Sequence, residues 1–463
     1  MNTLKQILKP KKIGLSSIRM GPFFTVASVE LGNTTTKCIL TSTNLKTAEI
    51  FEIGKEVRMT RDVRAPRSGE TVFGETVFGV QLTQSAVTEM VADVLTSVLT
   101  KAHLDIERDL HFVVRSTGVT AGFASPNEVG TIVKALADGC LNAGIPPRKM
   151  TAAISIDNLP PGIRDFSWLK KVYFDGAVAS SLPPSNTEIV ANEMEGELVT
   201  AGIKGAVKGT DIDFRNPVMT IDFGTTLAGR VTNDGFPYAK TIGSFAGLAG
   251  AIPDSIVRGS RLVNMENGCV LDLTVKQKAH FVDPELTLIE EASNRITVKR
   301  VPKNTKRFGT VPVNTKAADE SGVVLIGVDA DLEALEHFGA QISEEHDAGY
   351  ILSLIDHLQS HIVQKIVNVA ESLDLILPDT SLGLTGRAIT SGQKPDLITK
   401  ALRLEIGELW TASHQLVFVE DGLAMGAAVA ARCMNSFGTI EHPMGGRRGD
   451  RCIMAERRKL QKK

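Results

Sequence analysis

Val26-Ala-Ser-Val-Glu30-Leu-Gly32-Asn33-Thr34 and Val218-Met-Thr-Ile-Asp222-Phe-Gly224-Thr225-Thr226 align without a gap, one near the start of the chain and one near its middle. Each is an apolar, β-prone run that ends in an acid, passes one residue, and turns at a glycine into small hydroxyl or amide side chains. The glycine permits a tight turn and close approach of an anion. The amides that follow it, with Thr and Asn side chains, form an anion-binding concavity. The acid stands where a carboxylate can hold Mg²⁺ through water or orient an attacking water. One copy is an ordinary hairpin signal. Two copies, each heading a β-β-β run, imply an internal duplication whose loops would clamp phosphates from both sides.

Working outward, strands are expected at 24–31, 36–42 and 46–54, then a helix at 83–102 from the spacing of Val87, Met90, Val91, Val94, Leu95 and Val98. Between them Gly69-Glu-Thr-Val-Phe73 repeats verbatim from Gly74, followed by Gly79. A period of five is too short for a solenoid and reads as a surface hairpin or lid. A strand at 110–115, a helix at 126–143 with Ser125 as N-cap before Pro126, a strand at 150–156 and a helix at 187–203 complete the half. The second half repeats the order. Strands are expected at 218–223, 227–232 and 237–242, then Gly-rich Gly243–Gly250 and a helix from Pro253-Asp254. A polar, irregular stretch follows at 265–320, then a helix at 346–373, a strand at 381–385, a strand at 415–419 and a helix at 421–435. The expected divisions are a basic segment at 1–23, a first lobe at 24–215 with an insertion near 59–82, a second lobe at 216–440 with an insertion near 265–330, and a basic tail at 441–463.

Composition narrows the class. Of 463 residues 43% are hydrophobic and 22% charged, which is globular. Forty-one glycines and only 5% aromatics favour aliphatic α/β cores. A net charge of −2 gives no reason to expect nucleic acid or a membrane surface. Both ends are basic and read as solvated, partly disordered termini. Cys38, Cys140, Cys269, Cys433 and Cys452 form no C-x-x-C pair, against a disulfide framework, a structural zinc or an iron–sulfur cluster within one chain. No signal-peptide core and no run of about 18 apolar residues occurs, so a soluble, cytoplasmic protein is expected. A P-loop and a nucleophile elbow are both absent, and Gly247-Leu-Ala-Gly250 is not a dinucleotide fingerprint. His357 and His361 are spaced i, i+4 and read as a solvated helix face.

The order of these motifs resembles the acetate and sugar kinase, heat-shock chaperone and actin superfamily over roughly 24–435. Glu30-Leu-Gly-Asn-Thr-Thr-Thr-Lys37 resembles its first phosphate loop, and Asp222–Thr226 its second. Ser381-Leu-Gly383-Leu-Thr-Gly386-Arg387-Ala-Ile-Thr-Ser-Gly392 resembles its adenosine loop, and Val419-Glu-Asp421-Gly422-Leu-Ala-Met-Gly426 its second interdomain helix. The resemblance implies an α/β fold of two duplicated ribonuclease-H-like (actin-like ATPase) lobes around a central nucleotide cleft, with an insertion in the second lobe. It implies ATP and Mg²⁺. Glu30 and Asp222 would be the catalytic and metal carboxylates, acting on Mg²⁺ through water. Gly32, Asn33, Thr34, Thr35, Thr36, Lys37, Gly224, Thr225 and Thr226 would hold phosphates. Gly383, Gly386, Arg387, Asp421 and Gly422 would border the nucleoside. Glu30 departs from the superfamily's Asp, and its extra methylene moves the carboxylate about 1.5 Å, which puts hydrolysis in question.

The Gly-x-Thr-Thr-Thr-Lys form is similar to the branch holding activators of corrinoid and radical enzymes. The whole chain, especially Asp222–Arg230 and Gly243–Arg258, resembles the archaeal methanogenesis marker protein 14 family. That implies an ATPase that activates or remodels a metallocofactor (corrinoid or nickel tetrapyrrole) enzyme of methanogenesis, with that enzyme or its activation system as protein partner, and a homodimer as an open possibility. An intersubunit iron–sulfur cluster would have to draw on Cys140 or Cys269. Two alternatives stand beside it: a small-molecule kinase, for which Asp157 is the candidate extra acid, and a non-hydrolysing nucleotide sensor or scaffold.

Overall fold

The computed structural model describes residues 7–119, 126–150, 177–179, 193–235, 239–274 and 282–434. Ser125, Asp157, almost all of the strand expected at 150–156, and the basic tail lie outside the described residues.

The chain begins with two short strands, β1 (Ile7–Leu8) and β2 (Lys11–Lys12), and a helical turn at Leu15–Met20. Then come β3 (Phe23–Leu31), β4 (Thr35–Asn44) and β5 (Ile50–Met59), a hairpin of β6 (Val72–Glu75) and β7 (Gln81–Thr83), and helix α1 (Gln84–Lys101). Strand β8 (Phe112–Thr117), helix α2 (Pro126–Asn142), β9 (Ala177–Ala179) and helix α3 (Glu193–Ala206) follow. The second half runs β10 (Val218–Phe223), β11 (Leu227–Thr232), β12 (Thr241–Gly247), α4 (Ala251–Gly259), β13 (Ile296–Arg300), β14 (Arg307–Phe308), β15 (Val311–Pro312) and β16 (Val324–Ala330). Helices α5 (Leu332–Glu345) and α6 (Ala348–Ser372), strands β17 (Ser381–Thr385) and β18 (Leu416–Val419), and helix α7 (Gly422–Met434) end it.

The first sheet has the order β2-β5-β4-β3-β8-β9, and the second β1-β18-β17-β10-β11-β12-β16-β13. In each, a strand carrying the acid is antiparallel to the next strand and parallel to a later one: β3 to β8, and β10 to β17. Each sheet with its covering helices forms one lobe.

The strands read as near-continuous apolar runs because both faces are covered. Along β3, Ala27, Val29 and Leu31 enter a core with Val87, Val91, Val94 and Leu95 of α1, while Phe24 and Val26 enter a second core on the other face. Helix α1 starts where the Thr83 side chain accepts the Ala86 amide at 3.2 Å, an N-cap.

The second core joins the lobes. It packs Val26 and Val114 of the first sheet with Val218 and Val419 of the second, and with Leu198 and Ile203 of α3 and Leu423 and Ala427 of α7. Helix α3 leaves the first lobe and lies on the second sheet, where Thr200 bonds Thr220 at 2.6 Å and receives Arg230 at 3.0 Å. Helix α7 leaves the second and packs back on the first.

Four expectations are corrected. The N-terminal segment is not a loose tail from residue 7 onward. Strand β1 pairs with β18 and β2 with β5, so the segment ties one sheet to the other, because Leu8 and Ile18 are apolar and buried. The third strands lie later than expected. Asn44 caps the amides of Lys46 and Thr47, making 44–49 a turn, and β12 runs through the glycines because a side chain at Gly247 would strike β16. From residue 282 the stretch expected to be irregular is structured. Ile296, Val301, Phe308, Val311 and Val313 are buried between exposed charges, and β13 completes the main sheet beside β16. Finally, His357 and His361 are half-buried and do not form a fully solvated face. Burial lowers both pKa values, and His357 Nε2 is buried without a hydrogen-bond partner.

Candidate functional site

The two acid-glycine turns meet. Thr34 Oγ1 and Thr225 Oγ1 lie 2.9 Å apart, one from each lobe. The first turn closes through Gly32 N–H to Thr35 O at 3.0 Å. The second is stapled to the start of α4, since Thr225 O accepts from Ala249 and Ala251, and Gly224 O from Gly250.

Glu30 sits directly across the ladder from Lys37, whose ammonium is 2.9 Å from its carboxylate. Asp222 has the same place on β10 and pairs in register with Thr385 of β17. That register brings Gly386 against it. Gly386 has φ +92°, and a Cβ there would overlap the Asp222 carboxylate and the Phe223 carbonyl. Asp421 follows β18 at φ +56°, a conformation rare for a residue with a side chain, and its carboxylate pairs with Lys55 of β5. The Gly422 amide, at the start of α7, donates to Thr385 Oγ1 at 3.0 Å.

These groups share one field. Burial pushes the Asp222 pKa up to about 7; Lys37 opposes the shift, and Glu30 and Asp421 add to it. Burial acts against the Lys37 charge, but Glu30, Asp421 and Asp222 outweigh it and hold its pKa above the usual lysine value. Glu195 of α3 joins the cluster although no motif marks it. Burial first, then Glu30 and Asp222, push its pKa well above the ordinary carboxylate value, with Lys37 opposing them. The only sequence signal was its place on the helix that crosses between the lobes.

Other expected site residues shape the loops. Asn33 is buried, donating to Gly118 O at 3.0 Å and accepting from the Val77 amide at 2.9 Å. Thr36 is buried against Thr60, whose hydroxyl donates to Gly32 O at 2.7 Å. Thr35 pairs with Met59 in the β4–β5 ladder, and Thr226 forms an isolated bridge to Leu248. Gly383 lies where Phe214 and Ile203 press on β17. Arg387 is exposed. Among the described residues no group of three or more His, Cys, Asp or Glu could hold a metal by itself. Cys38, Cys140 and Cys269 are buried and unpaired with one another. A cavity of about 590 Å³ lies away from these turns, under the N-terminal strands, lined in part by Leu8, Phe51, Lys208 and Thr210. No helix among the described residues is long and apolar enough to cross a membrane.

Two α/β lobes with exchanged helices and paired acid-glycine turns define the class: a two-lobed mixed α/β protein with an acidic site between its sheets. Within that class the chain belongs to the archaeal family described as "Uncharacterized protein conserved in archaea (DUF2114)", matched over residues 23–461. It is 51% identical over 460 residues to uncharacterized protein MJ1451 of Methanocaldococcus jannaschii, covering 98% of this chain and 94% of that one. It is likewise 51% identical over 453 residues to an uncharacterized protein of Methanothermobacter thermautotrophicus, covering 96% and 84%. Among solved structures it is similar to one described as "Reductive activator for corrinoid,iron-sulfur protein", at 13% identity and a TM-score of 0.37. That match covers 89% of this chain and 60% of that one, less than two thirds of its length.

Proposed function

We propose that the protein binds ATP with Mg²⁺ between its lobes and couples lobe closure to the activation or remodelling of a metallocofactor enzyme of methanogenesis. The observation that carries this reading is the meeting of the two turns, with Thr34 on Thr225 and Glu30 and Asp222 around one lysine. The core order shared by the sheets, β5-β4-β3-β8-β9 in one and β12-β11-β10-β17-β18 in the other, supports descent of the lobes from one duplicated ribonuclease-H-like unit. Relatives in Methanocaldococcus and Methanothermobacter support a place in methanogenic archaea, and the quoted motifs support the marker protein 14 assignment.

The donor set fits the metal. Mg²⁺ takes hard oxygen ligands and keeps several waters, so one or two carboxylates and a polyphosphate suffice. Glu30 and Asp222 supply such carboxylates, and the Lys37 ammonium already draws their charge toward one point. Bound Mg²⁺ would neutralise charge on the terminal phosphates. The chain's own part is to hold the loops and to keep Asp222 and Glu195 in a site that raises both their pKa values. Equilibrium dialysis with labelled ATP and Mg²⁺ tests the reading. Absence of binding by the wild type, or undiminished hydrolysis in Asp222→Ala, rejects it.

The ion pair of Glu30 with Lys37 favours one second reading, a nucleotide sensor with negligible turnover, because the carboxylate is engaged and not free to orient water. Glu30→Asp separates the two. Retraction by about 1.5 Å frees the carboxylate, and a slow ATPase gains turnover roughly tenfold, whereas a sensor stays silent.

A further inference from the structure

The repeated Gly-Glu-Thr-Val-Phe segment places its second copy across the cleft. The tip of the β6–β7 hairpin is a closed turn, with Thr76 N–H to Val80 O and Gly79 N–H to Thr76 O, both at 3.0 Å. Val77 packs against a small core of the second lobe built by Val301, Phe308 and Val311. The Arg258 guanidinium of α4 lies over the Phe78 ring, 4.8 Å from its centroid. Arg258 is itself fixed, by Ser255 at 2.9 Å and Glu336 at 3.1 Å.

A second contact crosses beside it. Arg61, just after β5, grips Asp272 of the second lobe with both terminal nitrogens, one at 2.6 Å, and donates to Asn267 O at 3.0 Å. Such a fork on a carboxylate is directional, and a lysine could not reproduce it.

Both arms are rooted in the first turn. The Asn33 side chain receives the Val77 amide, and the Thr60 hydroxyl and amide bond Gly32 O and Thr34 O at 2.7 and 2.9 Å. Residues 32–34 therefore cannot shift without moving both Val77 and Arg61. Closely packed contacts of this kind switch between discrete arrangements rather than stretching.

We propose that the first acid-glycine turn governs opening of the lobes through this two-armed latch, Phe78 on Arg258 and Arg61 on Asp272, so that a phosphate leaving the turn releases both arms together. The proposal rests on the nucleotide reading only for the identity of the ligand. It assigns the repeat insertion to control of the cleft and not to a surface hairpin or free lid.

Hydrogen exchange on the full-length protein tests it with two readouts. Without ligand, Arg61→Gln/Phe78→Ala should speed exchange at 76–80 and 264–272 at least tenfold, while α6 stays protected. Asn33→Ala should expose the Val77 amide alone. With the fluorescent analogue mant-ATP and Mg²⁺, the double variant should release nucleotide at least tenfold faster than wild type. Unchanged exchange in both segments, or faster exchange with unchanged release, overturns the latch. Failure of the wild type to bind mant-ATP, with exchange still accelerated in the variant, removes the nucleotide reading and leaves the latch standing. If the double variant does not fold, Arg61→Lys, which keeps charge and loses the fork, carries the same comparison.

Discussion

Lys37 and Glu30 face each other across neighbouring strands, ammonium to carboxylate at 2.9 Å, and that ammonium also lies in the field of Asp222 and Asp421. One cation thus restrains acids from both lobes. Lys37→Met removes the cation that holds the Asp222 pKa down, so that pKa should climb beyond about 7. A protonated carboxyl is a poor metal ligand, so Mg-ATP affinity at pH 7 should fall at least tenfold and recover in part by pH 9. Titration calorimetry at the two pH values measures this, and a pH-independent affinity equal to wild type would refute it.

The same displaced acid shapes stability. Asp222 titrates near 7 in the folded chain against an ordinary value of 3.8. Across that window the folded state keeps a proton that the unfolded state has lost, so rising pH costs stability. Asp254, buried and likewise raised to about 7, adds the same slope. Asp222→Asn removes its share. The variant should match wild type at pH 4 and unfold later at pH 8, by about 1–3 kcal/mol, below the ceiling set by about 1.4 kcal/mol per pKa unit. Its ATP-dependent rise in melting temperature should disappear. A stability gap that does not grow with pH would show that Asp222 is not the group responsible.

Gly386 gives a sharper separation of strain from function. Both Gly386 and Gly407 have positive φ, +92° and +85°, but only at Gly386 does a Cβ strike atoms, those of Asp222 and Phe223. Ala at either position should cost about 1–2 kcal/mol in backbone strain. Gly386→Ala should in addition displace the Asp222 carboxylate and weaken nucleotide binding at least tenfold, whereas Gly407→Ala should leave affinity unchanged. Equal affinity losses in the two variants would mean that the contact with Asp222 has no role in binding.

The legible parts of this protein were those written as local pattern. Both acid-glycine hairpins follow from turn chemistry, since their paired strands are neighbours in sequence and in space, and helix α1 and strand β17 follow from their apolar pattern. What stayed hidden was long-range. Nothing around Glu195 announces that it will lie beside acids from two other elements. Asn33 holds a phosphate-loop position, and its side-chain partners, Gly118 and Val77, lie 85 and 44 residues away, a pairing that no local pattern shows. The N-terminal strands were missed because two-residue pairings leave no periodic trace, and the basic composition of that segment pointed the other way.

The crossing of α3 and α7 carries the final prediction. A Cβ on Gly202 would run into the Gly422 carbonyl, and one on Gly426 into that of Leu198. These obstacles are backbone, so no rotamer relieves them and the helices must separate. Helix propensity alone would make Gly→Ala stabilising by roughly 0.5–1 kcal/mol, and that gain is what Gly130→Ala on α2, exposed with nothing within 4 Å, should display. At Gly202 and Gly426 overpacking costs about 1–3 kcal/mol or more, enough to reverse the sign. Both variants should therefore melt below wild type while Gly130→Ala melts at or above it. Because these helices also join the lobes, Gly426→Ala should loosen exchange in α3 as well as in α7. Loss confined to α7 would mean that the two helices do not act as one hinge.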